Sequence, residues 1–148
     1  MEKREIRKTE LAELLELYSY LHESDCPLPD RSVVEAVWDE IQDSPNFHCF
    51  GVFADGKLVS SCALTIVPNL TRGCRPYGII ENVVTHSDFR GEGFGSAVLR
   101  LALENAWTND CYKVMLLTGR KSESVYRFYE SVGFDRHAKQ AFLAKPES

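Results

Sequence analysis

The chain has 148 residues, which suits one domain with one hydrophobic core, and its 44% hydrophobic and 26% charged residues are those of an ordinary globular protein. Its net charge of −5, with no block of Lys or Arg, argues against nucleic acid as a partner, because nucleic-acid affinity rests on clustered positive charge. The five cysteines form no C-x-x-C pair, no apolar run approaches the roughly 18 residues of a membrane span, and the N-terminus MEKREIRKTE is charged. We therefore expect one reduced, cytoplasmic domain over residues 1–148, without a metal site or a membrane contact.

The first third of the chain predicts one strand and two helices. KREIRK is a short strand, and a helix follows, with Thr9 as its N-cap and an apolar face made of Leu11, Leu14, Leu15, Tyr18 and Leu21. Two prolines in HESDCPLPD end this helix. Ser32 and Glu35 then form a capping box for a second helix, whose apolar stripe consists of Val33, Val34, Val37, Trp38 and Ile41.

The rest of the chain alternates strands with helices. FHCFGVFADGKLVSSCALTIV predicts two strands joined by a hairpin turn at Asp55-Gly56. VPNLTRGCRPYG is a loop, IIENVVT is a strand, and a glycine-rich turn opens a helix over 96–106. KVMLLTG is a strand, SESVYRFYESVG is a helix that stops at Gly133, and AFLAK is a last strand. The order β-α-α-β-β-β-α-β-α-β predicts an α/β (α+β) fold, in which about four helices flank a mixed central sheet.

The stretch DFRGEGFGSAVLR, residues 88–100, has three alternating glycines between a strand and a helix. Glycine is unfavourable in both kinds of element, so this spacing requires a backbone reason. A turn of this kind presents the unpaired N–H groups of a helix start to an anion, and the helix dipole adds positive potential there. Arg90 adds a fixed charge, and the excess of glycine favours a pyrophosphate.

Three kinds of anion site share this geometry. A Walker loop requires G-x-x-x-x-G-K-[ST], and a Rossmann fingerprint requires a third glycine where Ser96 stands. The third kind is the R-G-x-G-x-G loop of acyl-CoA enzymes. A tight turn without a ligand is the structural alternative, although one or two glycines would serve for that.

The segment IIENVVTHSDFRGEGFGSAVLRLALENA, followed by YKVMLLTG and VYRFYESVGF, resembles the Gcn5-related N-acetyltransferase (GNAT) superfamily, in its bacterial-type small-molecule branch. The similarity covers residues 79–134, and the preceding βααββ order fits that fold. It implies acetyl-CoA as co-substrate, with the pyrophosphate held by backbone amides of Arg90, Gly91, Glu92, Gly93, Phe94, Gly95 and Ser96. It also implies a following strand that splays to admit the pantetheine arm. The chain departs from the common pattern at Ser122, where Asn is frequent, and at Ser87, where Pro is common.

The strand before the glycine turn, IIENVVT, contains the candidate catalytic base. Amide formation from a thioester requires a deprotonated amine, a polarised carbonyl and a protonated leaving thiolate. Strand alternation predicts Glu81, Val83 and Thr85 on one face, which corresponds to the family's substrate face. A carboxylate inside an apolar strand is costly unless it is paired or used, so Glu81 is the predicted general base, directly or through water. Its structural alternative is a hydrogen bond to loop amides.

The resemblance assigns the remaining cofactor contacts. Backbone N–H groups near Val83 and Val84 would polarise the acetyl carbonyl, with Thr85 beside them. On the last helix, Tyr129 matches the family tyrosine that hydrogen-bonds the CoA sulfur and can protonate the thiolate. Ser122 and Tyr126 share its side of that helix, opposite a predicted core stripe. Aromatic packing is the alternative for Tyr129 and the stronger interpretation of Tyr126.

Four further residues are candidates for the acceptor site. Arg72 and Arg75 lie in the loop before the motif strand, and paired arginines suit a carboxylate or phosphate, although loop arginines are mostly solvated. Glu23 and Asp25 could receive an ammonium group, with an exposed loop as the alternative. His86 is expected to be a hydrogen-bonding surface residue and not a base or metal ligand.

We predict direct acetyl transfer to a small primary amine, because no Cys/His/Asp spacing marks a nucleophile. The motif strand and CYKVMLLTG are similar to glucosamine-6-phosphate acetyltransferases, which makes an amino sugar one candidate acceptor beside an amino-acid-like amine. The alternatives are a non-catalytic acyl-CoA-binding regulatory module and a protein or peptide N-acetyltransferase. A homodimer is a candidate assembly.

Overall fold

A computed structural model of the chain describes residues 1–22 and 24–147. It divides into two compact units, residues 1–116 and residues 117–148. Each unit is built from its own elements. One domain over residues 1–148 stays a prediction.

The first unit contains five strands and three α-helices, in the predicted order. The strands are β1 (Glu2–Glu5), β2 (Phe47–Ala54), β3 (Lys57–Val67), β4 (Tyr77–Thr85) and β5 (Val114–Leu116). The helices are α1 (Leu11–Tyr18), α2 (Arg31–Asp43) and α3 (Phe94–Thr108), and short 3₁₀ turns lie at Lys8–Glu10, Arg72–Cys74 and Ser87–Phe89.

The five strands form one mixed sheet in the order β1-β2-β3-β4-β5. Neighbours from β1 to β4 pair antiparallel, whereas β4 and β5 pair parallel, which requires a crossover that α3 supplies. The mixed sheet predicted from the element order is confirmed. The parallel ladder joins only Gly78, Ile79 and Ile80 to β5, so among the described residues no strand pairs with that edge of β4 over 81–85.

The β2–β3 hairpin turns at Asp55 and Gly56, as predicted. Both residues have positive φ angles, 50° and 79°, which is the backbone of a type I′ turn. Asp and Gly adopt this conformation at low cost, so the dipeptide sets the register of the hairpin.

Helices cover both faces of the sheet. On one face, α1 contacts β3 and β4 while α2 contacts β2, and the core there consists of Ile6, Leu11, Leu14, Leu17, Trp38, Cys49, Phe53, Leu58, Ala63 and Val84. On the other face, α3 contacts β1 to β4. The Sγ atom of Cys62 lies 3.7 Å from the Val98 carbonyl oxygen, which identifies the face of β3 turned toward α3.

The starts of α1 and α2 differ from the prediction, and so does the apolar stripe of α2. Thr9 lies inside the 3₁₀ turn that precedes α1, and Glu10 occupies the N-cap position of α1. Asp30 is the N-cap of α2, so Ser32 lies within the helix and the predicted capping box does not form. Val33 and Val37 are about half exposed (48% and 49%), because α2 rests on the sheet through Trp38, with Val34 and Ile41 half-buried beside it.

The second unit contains helix α4 (Glu123–Ser131). Gly133 follows it with a φ of 107°, and its N–H donates to the Glu130 carbonyl, as expected of a glycine that ends a helix. The predicted last strand does not form: residues 141–145 are exposed and have no ladder partner. Its short apolar run contains Phe142 and Leu143, which are 89% and 78% exposed, so a run of apolar residues alone did not make a strand there.

Candidate active site

Strand β4 contains a bulge at its centre. Glu81 lies opposite Ala63 of β3, and Val84 lies opposite Ser61, so three steps along β4 match two steps along β3. Asn82 accommodates the extra residue with a φ of 54°, a left-handed conformation that Asn adopts more readily than most residues.

The bulge changes which side chains share a face, so the alternation predicted for this strand is wrong. Ala63 and Ser61 are two residues apart and lie on one face, which places Glu81 and Val84 together on the α1 side. Thr85 lies opposite Ser60 and shares the α3 side. Glu81 and Thr85 are therefore on opposite faces of the sheet.

Glu81 is exposed, and so is Asn82 beside it. The free-energy cost of burying a carboxylate, on which the prediction of a functional Glu81 rested, therefore does not apply, because water solvates this side chain. What the structure offers instead is an accessible carboxylate at the middle of a strand, beside a bulge. An accessible carboxylate can accept a proton from a bound amine.

Tyr18 of α1 approaches the bulge from the helical layer, which the sequence pattern did not indicate. Burial raises the pKa of the Tyr18 hydroxyl well above its ordinary range, and a hydrogen bond to the Asn82 side chain opposes part of that shift. The apolar spacing of α1 predicts Tyr18 as a core residue, but its polar end also meets the one residue of β4 with positive φ.

The open edge of β4 presents backbone amides. The His86 N–H donates to the Val59 carbonyl of β3 at 2.8 Å, and the Val84 carbonyl accepts from the Ser60 hydroxyl at 3.0 Å. Backbone groups alternate between the two edges of a strand, so the Val84 amide faces β3. The amides of Val83 and Thr85 then face the open edge, where no β5 residue pairs with them.

The glycine turn has the backbone of an anion cradle. Gly91 and Gly93 have φ angles of 79° and 87°, and Gly93 is the N-cap of α3 without a side-chain cap. The first α-helical hydrogen bond is donated by the Ala97 N–H to the Gly93 carbonyl at 3.0 Å. The amides of 94–96 come before this bond and therefore have no acceptor within the helix. A Cβ at Gly91 or Gly93 would meet no atom within 4 Å, so this space is open and the residues present fit a pyrophosphate.

Arg90 fastens the turn to its surroundings. Its Nε donates to the Thr85 carbonyl at 3.2 Å, and one terminal nitrogen donates to the Tyr20 carbonyl at 3.4 Å. The side chain is nevertheless exposed, so its charge reaches the mouth of the turn. Arg90 thus links the end of β4 to the segment after α1.

His86 is buried, contrary to the prediction of a surface residue. Only 7% of it is exposed, and its Nδ1 accepts the N–H of Asp88 at 3.1 Å. A histidine at the end of a strand gives no sequence signal of burial, because the residues that cover it come from elsewhere in the chain.

The two loop arginines differ in their surroundings. Arg75 donates to the Asp110 carboxylate at 3.2 Å and to the Cys111 carbonyl at 3.4 Å, so it holds the loop against the segment before β5. Arg72 is exposed, with a φ of 55°, and its guanidinium lies 5.9 Å from the centre of the Tyr112 ring. Among the described residues, Arg75 forms an ion pair with a carboxylate and Arg72 does not.

The remaining acceptor candidates lie between α1 and α2. Asp25 is exposed, and its carboxylate accepts the N–H of Cys26 at 2.7 Å. Glu23 lies outside the described residues.

The second unit carries the last three candidates. Ser122 is the N-cap residue of α4, and its hydroxyl lies 3.3 Å from that of Ser124. The Tyr126 ring is covered by the Arg136 guanidinium at 4.9 Å. Tyr129 is half-buried, and its ring lies 6.1 Å from that of Phe134.

Residues 1–22 and 24–147 contain neither a metal-ligand cluster nor a helix that could span a membrane. No three His, Cys, Asp or Glu side chains there come together as a metal site requires. None of the helices in the same part of the chain has the length and apolar character needed to cross a membrane.

Known proteins share this sequence pattern and this fold. A model of the acetyltransferase (GNAT) family matches residues 9–134. The glucosamine 6-phosphate N-acetyltransferase of Trypanosoma brucei brucei is 41% identical over 88 residues, which span 60% of this chain and 58% of that enzyme. The enzyme of the same name from Arabidopsis thaliana is 28% identical over 106 residues, or 70% of this chain and 69% of the relative. A solved structure from Agrobacterium tumefaciens strain C58 is 43% identical, with a TM-score of 0.92 over 99% of this chain and all of the other.

Proposed function

The chain belongs to the acetyltransferase (GNAT) family, and on that premise we propose that it transfers the acetyl group of acetyl-CoA directly to the primary amine of a small molecule. The observation that carries this proposal is the glycine turn at the end of β4. Its left-handed Gly91 and Gly93, the amides of 94–96 and the open space around them suit a pyrophosphate.

The open edge of β4 supports the same proposal. A strand edge with unpaired amides can hydrogen-bond an extended amide-containing chain such as the pantetheine arm. The edge over 81–85 begins where the ladder to β5 ends and runs to the residues that enter the turn. Acetyl-CoA, when bound, supplies an activated thioester.

The chain's own residues then perform the proton transfers. Glu81 takes a proton from the acceptor ammonium, directly or through water, and the amine nitrogen bonds to the acetyl carbon as the C–S bond breaks. The amide of Val83, which faces the open edge, donates to the carbonyl oxygen as negative charge develops there. Tyr129, in the role proposed on the family motif that it matches, donates a proton to the departing thiolate and regains one from the nitrogen of the new amide bond, so that CoA leaves as the thiol and the tyrosine stays neutral. Thr85, Ser122 and Tyr126 are proposed as further cofactor contacts.

The acceptor proposed first is an amino sugar phosphate such as glucosamine 6-phosphate. Its support is the activity for which the Trypanosoma and Arabidopsis relatives are named, with the trypanosome match spanning just under three-fifths of that enzyme. Arg72 suits its phosphate, because its guanidinium is exposed beside Tyr112. Arg75 shapes the loop through Asp110, and Glu23 and Asp25 are proposed for the ammonium group.

The experiment is an assay of CoA release with glucosamine 6-phosphate, glucosamine and an N-terminal peptide amine as acceptors. We expect turnover with the sugar phosphate and much less with glucosamine. Preference for the peptide would favour a protein acetyltransferase, and binding of acetyl-CoA without turnover on any amine would favour a regulatory module. Cytoplasmic location and a homodimer stay predictions.

The cofactor site is tested separately by thermal unfolding with acetyl-CoA. At about 100 times its Kd, a ligand raises the free energy of unfolding by about 2.7 kcal/mol. Gly93→Val should abolish that gain. The matched control is Gly56→Val, which imposes the same strain at a φ of 79° in the β2–β3 turn and should leave the gain intact. Absence of a shift in the unchanged protein would contradict the cofactor assignment.

A further inference from the structure

His86 lies between strand β4 and the glycine turn, and it takes no part in the proton transfers of the proposed reaction. It follows the last residue of β4 and begins the 3₁₀ turn Ser87–Phe89, which leads directly to Arg90. Only 7% of the residue is exposed, and buried polar groups are normally held by specific partners.

The backbone partner of the His86 ring is an amide of the 3₁₀ turn Ser87–Phe89. Nδ1 accepts the N–H of Asp88 at 3.1 Å, so this nitrogen carries no proton in the bonded state. His86 therefore caps the short turn as Asn or Asp caps a helix, and fixes the direction in which the chain leaves β4. The Phe89 N–H adds a bond to the His86 carbonyl at 2.9 Å.

The apolar partners of the ring come from both sides. The ring centre lies 4.2 Å from that of Tyr20, which follows α1, and 5.4 Å from that of Phe89. Phe89 in turn lies 6.0 Å from Phe94, the first residue of α3. One buried imidazole thus connects the segment after α1, the end of β4 and the start of α3.

Arg90 makes a parallel connection, because it reaches the carbonyls of Thr85 and Tyr20. His86 and Arg90 therefore both join Tyr20, in the segment after α1, to the part of the chain between the end of β4 and the glycine turn. The turn itself has few restraints of its own, since Gly91 and Gly93 are exposed and have no neighbour near their Cβ positions. Its order must come from the residues that flank it.

We propose that His86 is a positioning residue for acetyl-CoA, which holds the glycine turn in its anion-binding conformation through the Nδ1 bond to Asp88. This inference rests on the proposed function. A turn that is already ordered loses less conformational entropy when a phosphate binds, so the hydrogen bond contributes to affinity without touching the ligand.

Two substitutions separate the hydrogen bond from the packing. His86→Phe keeps an aromatic ring against Tyr20 and Phe89 but offers no acceptor to Asp88. His86→Asn keeps an acceptor near the Nδ1 position but loses the ring. Both remove the 3.5 Å contact between Nε2 and the Lys57 ammonium, so that contact cannot distinguish them.

The measurements are the Kd for acetyl-CoA by calorimetry, the KM for the acceptor and the melting temperature. His86→Phe should raise the Kd about fivefold, as expected for one neutral hydrogen bond, and keep most of the melting temperature and the acceptor KM. His86→Asn should lower the melting temperature more and keep the Kd within about twofold. His48→Phe is the control, because His48 on β2 pairs with Glu5 and its loss should leave the Kd unchanged.

A Kd that rises in step with the loss of melting temperature in both variants would overturn the proposal, because it would assign His86 a purely structural role. Hydrogen exchange of the ligand-free protein gives an independent readout. His86→Phe should speed amide exchange over 88–95 and leave the strands unchanged, whereas unchanged exchange there would overturn the proposal. If the unchanged protein fails to bind acetyl-CoA, the proposed function fails and the role of His86 fails with it, whereas normal binding by the unchanged protein with an unchanged Kd in His86→Phe overturns the role of His86 alone.

Discussion

Glu81 is the residue on which the proposed chemistry depends. It is exposed on the α1 side of the sheet, one position before the bulge, and therefore accessible to an amine that approaches from that side. Val83 lies only two positions further along the strand, so the proposed base and the amide proposed to polarise the carbonyl can act on one reacting centre.

Replacing Glu81 with Gln should lower kcat by about 100-fold or more and leave the Kd for acetyl-CoA unchanged, because general base catalysis contributes roughly 10²- to 10⁴-fold. Steady-state kinetics with the sugar phosphate, together with calorimetry, would measure both. Glu104→Gln is the matched control, since Glu104 is an exposed glutamate on α3. Equal kcat values for the two variants would remove Glu81 from the mechanism.

The bulge of β4 is a property of the strand and its neighbours together. Asn82 takes the left-handed conformation, and Tyr18 contributes a hydrogen bond to its side chain from α1. The extra residue sets Glu81 on the face opposite Thr85, while the amide of Val83, two positions further along, faces the open edge. The bulge therefore fixes the relative orientation of the two groups that the proposed reaction requires.

Asn82→Val should destabilise the protein by about 1–3 kcal/mol and reduce kcat, because a β-branched residue is strained at positive φ. Asn82→Gly should keep the bulge and most of the stability, since glycine adopts this conformation freely. Chemical denaturation and kinetics of both variants would test this. If valine were tolerated as well as glycine, the left-handed conformation at this position would not be needed.

The five cysteines differ in burial, so their reactivity measures how well the fold is closed. Cys26 and Cys74 are exposed, whereas Cys49, Cys62 and Cys111 are buried and free. Burial raises the pKa of Cys49 to about 11 and that of Cys62 further, so neither thiol is ionised at neutral pH.

A thiol-specific reagent should therefore label two cysteines quickly in the native protein and all five after denaturation. Acetyl-CoA should slow the labelling of the buried three, because that labelling requires opening of the fold and the ligand stabilises the closed state. Mass spectrometry of the labelled protein would count the modified thiols. Rapid labelling of Cys62 in the native state would contradict the packing of β3 against α3.

The order of elements from β1 to α4, the Asp55-Gly56 hairpin and the glycine turn follow from the sequence, because each depends on residues that are close together in the chain, whereas the strand predicted after α4 does not form. The anion-binding character of the turn also follows from its local pattern, whereas the roles of Val83, Val84 and Thr85 on the strand depend on the resemblance to the family. The faces of β4 could not be predicted in this way, because the bulge at Asn82 arises where β3 and α1 pack on the strand.

Long-range contacts decided the other features. His86 is buried because Tyr20 lies against its ring, and Arg75 is committed to Asp110, 35 positions away in the chain. Local sequence patterns record the backbone preference and periodicity of a segment, so they predict helices, strands and turns. They do not record which distant segment supplies the neighbour of a side chain, so burial, ion pairing and strand register at the site required the packed structure.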